Sequence, residues 1–385
     1  MNTILYRITL LQPTIVTQIE GEPNSAVSYD FIPGAVLRGI IIGMYLSAYG
    51  QRDLDKIPNI EEKDRLFFSN MTRFLNAYPV INNKRSLPIP ATWRTPKYGE
   101  GKAINSINIR DEAFPYTNDG SKYDPVKGFT TSNGASIYKP KRVLNIHIHR
   151  TRKTDDEPQV YRYDALAPQQ TFEAMIYCAD EDANPLANLL KDNPSMHIGR
   201  ARSAGYGKVR IESVDIQDGY QSEFTATPSS NILTCLSDVI LRDKNGHYAP
   251  TLSVLVDTLK KFGLTIQQNG NHTIQTILVG GFNRKWGLPL LQTPAIKRGS
   301  VIALSHFADP NNALSSIYQT GLGERRNEGF GQVAIGWQGY PTFTATRINS
   351  ISQEVESIPQ SDLDGDAGIM WHFLQARINS KGVKE

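Results

Sequence analysis

Two glycine-rich segments carry residue types suited to a phosphate: Gly199-Arg-Ala-Arg-Ser-Ala-Gly-Tyr-Gly207 and Gly321-Leu-Gly-Glu-Arg-Arg-Asn-Glu-Gly-Phe-Gly331. Each ends in Gly-aromatic-Gly, holds arginines a few residues earlier, and leads into a short alternating apolar stretch, Lys208-Val-Arg-Ile-Glu or Gln332-Val-Ala-Ile-Gly. Glycine permits positive φ and close approach of the backbone to a ligand, and a guanidinium supplies forked charge that matches phosphate. The candidate contacts are Gly199, Arg200, Arg202, Gly205, Tyr206 and Gly207 in the first loop, and Gly323, Arg325, Arg326, Gly329, Phe330 and Gly331 in the second. A phosphate-facing loop made twice points to a long polyanion. Neither loop has the Lys-Ser/Thr ending of a nucleotide-binding P-loop, so ATP hydrolysis is not supported. The loops differ in charge: Arg200, Arg202 and Lys208 meet no acid before Glu212, whereas Glu324 and Glu328 offset Arg325 and Arg326. The first is therefore expected to face the polyanion and the second chiefly protein or the polyanion's end.

The net charge of +3 is unevenly distributed. From Lys84 to Lys153 there are fourteen Lys or Arg against five Asp or Glu, a local +9. Trp93, Tyr98, Phe114, Tyr116, Tyr123, Phe129 and Tyr138 are interleaved there with Gly, Pro, Asn and Ser, a composition that predicts irregular structure. Cations that track phosphates, alternating with rings on which bases stack, are the parts of a single-strand surface. Lys139, Lys141, Arg142, His149, Arg150 and Arg152 are its candidate RNA contacts. His147, His149 and His197 could supply the base and acid for attack by a 2′-OH. Positions 147 and 149 of a strand point the same way, beside Arg150 and Arg152, which suits phosphate contact equally well. Asp362-Leu-Asp-Gly-Asp366 resembles a calcium loop only in its acids, because Ala367 stands where that loop needs glycine and Phe373 where it needs a bidentate glutamate. No metal and no other cofactor is expected.

These loops need strands and helices to hold them. A chain of 385 residues is long for one core, and 39% apolar content suffices for two. Ile4 to Leu11 alternates as a strand, and Ala35 to Leu46 has helical spacing after a Pro-Gly start. Leu144 to His149 and Thr171 to Cys178 read as strands, Pro185 to Lys191 as a helix, and Gly207 to Ser213 as a strand. The order repeats with Ile232 to Leu241, the helix Leu252 to Phe262, Thr273 to Phe282, Ser300 to His306, the helix Ala313 to Gln319, and Gln332 to Trp337. Both halves read βαββαβ, an α+β class of tandem ferredoxin-like, RRM-like domains, with each glycine loop before the last strand. The expected boundaries are 1–220, with a basic insertion at about 80–142, then 228–342, then a tail 343–385 carrying an amphipathic helix from Gly368 to Ile378. Cys178 and Cys235 fall in strands and are expected to be free buried thiols. No 18-residue apolar run occurs, so a cytoplasmic chain with no membrane partner is expected.

Tandem domains of this kind, together with Tyr29-Asp-Phe-Ile-Pro-Gly-Ala-Val-Leu-Arg-Gly39, resemble the RAMP superfamily, the repeat-associated mysterious proteins of CRISPR systems. Ile-Pro-Gly-x-x-Leu-Arg-Gly looks like the family's first-helix signature, with Arg38 at an exposed helix start where a phosphate could sit. Phe74-Leu-Asn-Ala-Tyr-Pro, Leu87-Pro-Ile-Pro-Ala-Thr-Trp, His149-Arg-Thr-Arg-Lys-Thr and Tyr161-Arg-Tyr-Asp-Ala-Leu resemble the large two-domain RAMP subunit of type III-D effector complexes. The resemblance spans about 1–340. It implies a non-catalytic subunit that holds the guide (CRISPR) RNA near its repeat-derived 5′ tag in antiviral defence. The implied partners are that RNA, its target RNA, other RAMP subunits and the large polymerase/cyclase-type subunit. The alternative is a metal-independent endoribonuclease that processes precursor guide RNA. Target-cleaving members of the superfamily resemble one another in an aspartate on the loop before the first helix; here the loop Ile19 to Ser28 is short and Asp30 abuts the signature.

Overall fold

The alternation of Ile4, Tyr6, Ile8 and Leu10 gives the strand Asn2–Leu10 one wholly apolar face, and this strand becomes the centre of the first sheet. A computed structural model describes residues 1–348, apart from 19–24, 98–104, 118–119, 150–158, 227–229, 268–269, 284, 305 and 310–312. Asn2–Leu10 runs antiparallel between Thr171–Cys178 and Lys208–Asp218. Arg73–Phe74 and Tyr78–Ile81 pair with the far side of Thr171–Cys178, and Ser195–His197 pairs with the far side of Lys208–Asp218. The helices Gly34–Ala48 and Asp180–Lys191 cover one face, where Leu37, Ile41, Leu186 and Leu190 meet Ile4, Ile8, Ala174 and Ile176. Each such side chain stabilises the fold by about 1.5–3 kcal/mol when fully buried.

The Pro-Gly start of the first helix has a packing reason. Pro33 caps the helix in extended geometry, and a Cβ on Gly34 would lie 1.9 Å from the Phe74 carbonyl oxygen. Only glycine lets the helix start rest on the strand Arg73–Phe74.

The second half repeats this order on a smaller scale. Ile232–Cys235 lies antiparallel between Val301–Ala303 and Val333–Ile335, and His272–Thr273 pairs with the far side of Val301–Ala303. Leu252–Lys261 and Ala313–Thr320 supply Leu255, Leu259 and Ile317 to a second core with Leu233, Ile302 and Ile335. Both halves lie in one compact unit, Met1–Asn349. Among the described residues no helix is long and apolar enough to cross a membrane, and Cys178 and Cys235 are free and buried.

Three expectations from sequence need correction. The second strand of the first sheet is Arg73–Phe74 with Tyr78–Ile81, whereas Leu144 to His149 belongs to a separate ribbon. In that ribbon Arg142–His149 pairs with Gln159–Leu166, which pairs with Ser25–Val27. Periodicity reports a strand but not the sheet it joins. The basic insertion is not irregular. Leu87–Pro88, Trp93–Pro96, Ser106–Asp111, Tyr123–Pro125, Phe129–Thr130 and Ser136–Tyr138 share a sheet with Thr342–Ile348. Ile89, Trp93, Ile107, Ile109, Val126, Ile137 and Ala345 form its own core. The start of the expected tail is thus a strand, paired antiparallel to Ser106–Asp111 and parallel to Ser136–Tyr138. The helix expected from Gly368 to Ile378 and the acidic run at Asp362 lie outside the described residues.

Candidate nucleic-acid interface

The two glycine loops are the same structure built twice. Arg200 N donates to Ile15 O at 3.1 Å and Glu324 N to Ile240 O at 3.0 Å. Ile198 N meets Gly207 O at 2.8 Å, and Leu322 N meets Gly331 O at 2.8 Å. Gly207 N donates to Pro13 O and Gly331 N to Asp238 O, both at 2.9 Å. Ala201 and Arg325 take the left-handed conformation, each followed by a single 3-10 turn, Arg202–Ala204 or Arg326–Glu328. A Cβ on Gly199 would sit 1.9 Å from Ile15 O, and one on Gly323 would sit 2.0 Å from Ile240 O. These glycines admit the protein's own backbone rather than a ligand, which revises the sequence reading of their role.

The aromatic residues at the loop ends are also pins. Tyr206 is buried among Ile15, Ala26 and Ala165, and its hydroxyl bonds Asn145 Nδ2 at 2.7 Å and His147 Nε2 at 2.8 Å. Phe330, half-buried, packs with Ile240, Val279 and Ala295. Tyr206 fastens its loop to the strand Arg142–His149 and Phe330 fastens its own to the antiparallel pair Thr276–Val279 with Thr293–Ile296, so Tyr206 is not a stacking platform for bases.

The loops part company in what surrounds them. Arg200, Arg202, Gly205 and Lys208 are exposed, and among the described residues no ion pair holds Arg200 or Arg202; the Arg200 guanidinium lies 5.8 Å from the Tyr163 ring centre. His197 pairs across the strand with Lys208, and its pKa falls below 6.5 first from burial and then from Arg202 and Lys208. The first loop thus concentrates positive field at one edge of the first sheet. The second loop turns inward. Arg325 Nε bonds Glu328 at 3.0 Å and its Nη1 reaches Gly280 O at 3.1 Å, while Glu324 pairs with Arg242. Arg326 Nη1 approaches Thr320 O at 3.5 Å, and Asn327 Nδ2 donates to Phe67 O at 3.2 Å. A Cβ on Gly329 would stand 2.7 Å from Phe74 O, so this loop lies against the first half of its own chain.

Several other candidates change role. Arg38 is not at an exposed helix start: its side chain is 17% exposed, donates to Phe67 O at 3.0 Å, and lies 3.8 Å from Glu328. Arg142 is held by Asp164 at 2.7 Å, by Asp30, and by Ser28 O at 2.8 Å. Lys139 and Lys141 remain exposed. His149 lies in the ribbon strand Arg142–His149, and Arg150 and Arg152 lie outside the described residues. In the insertion, Trp93, Phe129 and Tyr138 are buried, and Tyr98 lies outside the described residues. Arg110 stacks on Tyr123, 3.6 Å from its ring centre, and pairs with Glu112. Arg94 also pairs with Glu112, and Arg85 pairs with Glu223. A charge count over a window cannot see Asp30, Asp164 and Glu223, which come from outside it.

One feature had no sequence signal. A cavity of about 120 Å³ opens between the segment after the first strand and the second loop, lined among others by Thr17, Tyr29, Phe31, Val36, Asp238 and Phe330. Its walls come from segments more than two hundred residues apart in the chain.

A strand-centred sheet with a duplicated glycine loop before each final strand defines an α+β protein of a recognisable class. The RAMP superfamily model matches residues 7–210, more than half of the chain, and the protein belongs to that superfamily. No curated protein matches its sequence. Similar solved structures include a chain of a type III-B Cmr-beta complex bound to cognate target RNA and AMPPnP, at 12% identity and TM-score 0.45, covering 83% of this chain and 93% of that one. A chain of a Csm3-Csm4 subcomplex of a type III-A CRISPR-Cas interference complex is 14% identical, at TM-score 0.36, covering 79% and 93%. The CRISPR associated protein Cas6 is 10% identical, at TM-score 0.37, covering 87% and 98%.

Proposed function

We propose that this chain holds the guide RNA of a type III CRISPR effector complex without cutting it, as the large two-domain RAMP subunit of the III-D type. It grips the RNA near the repeat-derived 5′ tag. Its neighbours are other RAMP subunits and the large polymerase/cyclase-type subunit, with target RNA as a further partner. In this reading the two halves are ferredoxin-like domains, about 1–220 and 228–342, a reading supported by the shared strand order of the two sheets. The observation that carries the proposal is the first loop: Arg200, Arg202 and Lys208 stand exposed on a turn locked by backbone bonds to Pro13 and Ile15. Such a loop binds phosphate with little ordering cost.

The second reading, a metal-independent endoribonuclease, has His197 in its favour, since a weakly basic imidazole beside two cations suits proton transfer next to a phosphate. Against it, the His147 imidazole is tied to the buried Tyr206 hydroxyl. Labelled repeat RNA incubated with the purified protein, without metal, separates the two. Retention without a defined cut is expected, and substituting His147, His149 and His197 together should leave retention largely intact. A single-site cut that disappears in the triple variant would establish the nuclease.

A further inference from the structure

The cavity beside the second loop has flat walls and a polar edge. Tyr29 and Phe31 stand 5.1 Å apart at 58°, and Phe330 faces into the same space with the Arg325 guanidinium 4.8 Å from its ring centre. Val36 from the first helix and Val279 from the strand Thr276–Val279 close the sides, while Gly280 and Gly281 present backbone only. The Asp238 carboxylate, 5% exposed, lies at the edge. One of its oxygens accepts from Arg298 N at 2.7 Å and the other lies 3.5 Å from Arg298 Nη1. A carboxylate has about four lone-pair sites, so acceptor capacity remains. The volume of about 120 Å³ holds several waters or one small planar ring system.

The cavity's lining also begins one residue along the chain from the anchor of the cationic loop. Ile15 O anchors Arg200 N, and Val16 and Thr17 line the cavity directly after it. Two residues span at most about 7 Å, within the reach of one nucleotide from a phosphate on that loop.

We propose that this cavity receives one unpaired nucleobase of the bound strand, stacked against Tyr29, Phe31 or Phe330, with an amino group of its edge donating to Asp238. The proposal rests on the RNA-holding reading above. An apolar side chain of a partner subunit would fill the space but would leave unused the acceptor capacity that Asp238 keeps beside its contacts to Arg298; a base uses both the rings and that acceptor.

The test is an abasic scan of the repeat RNA, with affinities measured for the wild type and for Val36→Trp and Val279→Trp, which fill the cavity from different elements. Phe330→Leu serves as a third variant that removes a ring without filling. Thermal melts identify any variant that fails to fold. One abasic position is expected to cost the wild type about five- to 150-fold, the worth of a base stacked on a protein ring. The filled variants should bind intact RNA that much more weakly, lose the penalty at that position alone, and keep the salt dependence. RNA bound by the wild type with no position coupled to any of the three variants would overturn the base pocket and leave the RNA-holding reading standing. So would normal RNA binding by the filled variants with loss of a partner subunit. Absence of RNA binding by the wild type at low salt would sink both.

Discussion

Arg200 and Arg202 owe their availability to what is missing around them: among the described residues no ion pair holds either side chain, whereas Arg38, Arg142 and Arg325 are each engaged by their own chain. On a single strand each neutralised phosphate contributes about 0.7 to the log-log salt slope. Replacing Arg200 and Arg202 by alanine should lower the slope of RNA binding by up to about 1.4, read from titrations at several salt concentrations. An unchanged slope would remove the first loop from the RNA surface. His197 adds a pH dependence. Its pKa in the folded protein is lowered from 6.5, so this group favours the folded state at higher pH, and that contribution is lost as pH falls below 6.5. Burial is the larger cause of the lowering, but a bound phosphate offsets the Arg202 and Lys208 charges that add to it, so binding is expected to take up a proton. RNA affinity should rise as pH falls from about 7 toward 6, and His197→Gln should flatten the profile, measured at constant ionic strength.

At the scale of elements, one turn design serves two surfaces. Gly205 has φ +82° and nothing within 4 Å of the place a Cβ would take, whereas Gly329 has φ +88° and Phe74 O at 2.7 Å from that place. Gly205→Leu should therefore carry only backbone strain of about 1–2 kcal/mol and a loss of RNA affinity. Gly329→Leu adds a steric clash of about 1–3 kcal/mol to the same strain, and should lower the melting temperature more while leaving the first loop's salt slope intact. Equal losses of RNA affinity at equal stability would mean that both loops contact RNA. Charge alone assigns the second loop to a protein contact; the protein it meets is the first helix and the strand Arg73–Phe74 of the same chain.

For the molecule as a whole, the two halves are bonded across a seam. Tyr78 OH donates to Leu236 O, and the fully buried Arg73 donates to Tyr318 O at 3.2 Å. The strand Thr342–Ile348 then returns from the end of the second half to the insertion of the first, where Ala345 joins the core and Phe343 packs on it, edge-on to Trp93 at 4.8 Å. Ending the chain after Tyr340 should open that core and cost about 2–5 kcal/mol relative to ending it after Asn349, seen as a lower melting temperature. Equal melting temperatures for the two truncations would show that the returning strand is dispensable.

The sequence by itself determined the strongly patterned elements, but not the six strands of the insertion, nor that Thr273 to Phe282 is split among three short strands. Alternation at Ile4 to Leu10, helical spacing after Pro33-Gly34, and the repeated Gly-aromatic-Gly endings are local patterns, written by the needs of each strand, helix start and turn. It also ranked the loops by charge, because the residues that distinguish them, Glu324 and Glu328, lie within the loop itself. Only the tertiary structure decided partnership. Leu144 to His149 reads as well for the central sheet as for the ribbon, and the arginines of the basic window read as free until Asp30, Asp164 and Glu223 arrive from elsewhere in the chain. Tyr206 reads equally well as a stacking platform and as a pin, since an aromatic ring suits either, and its burial alone tells the two roles apart. The cavity beside Phe330 has no linear signature at all, because its walls meet only when the two halves close on each other.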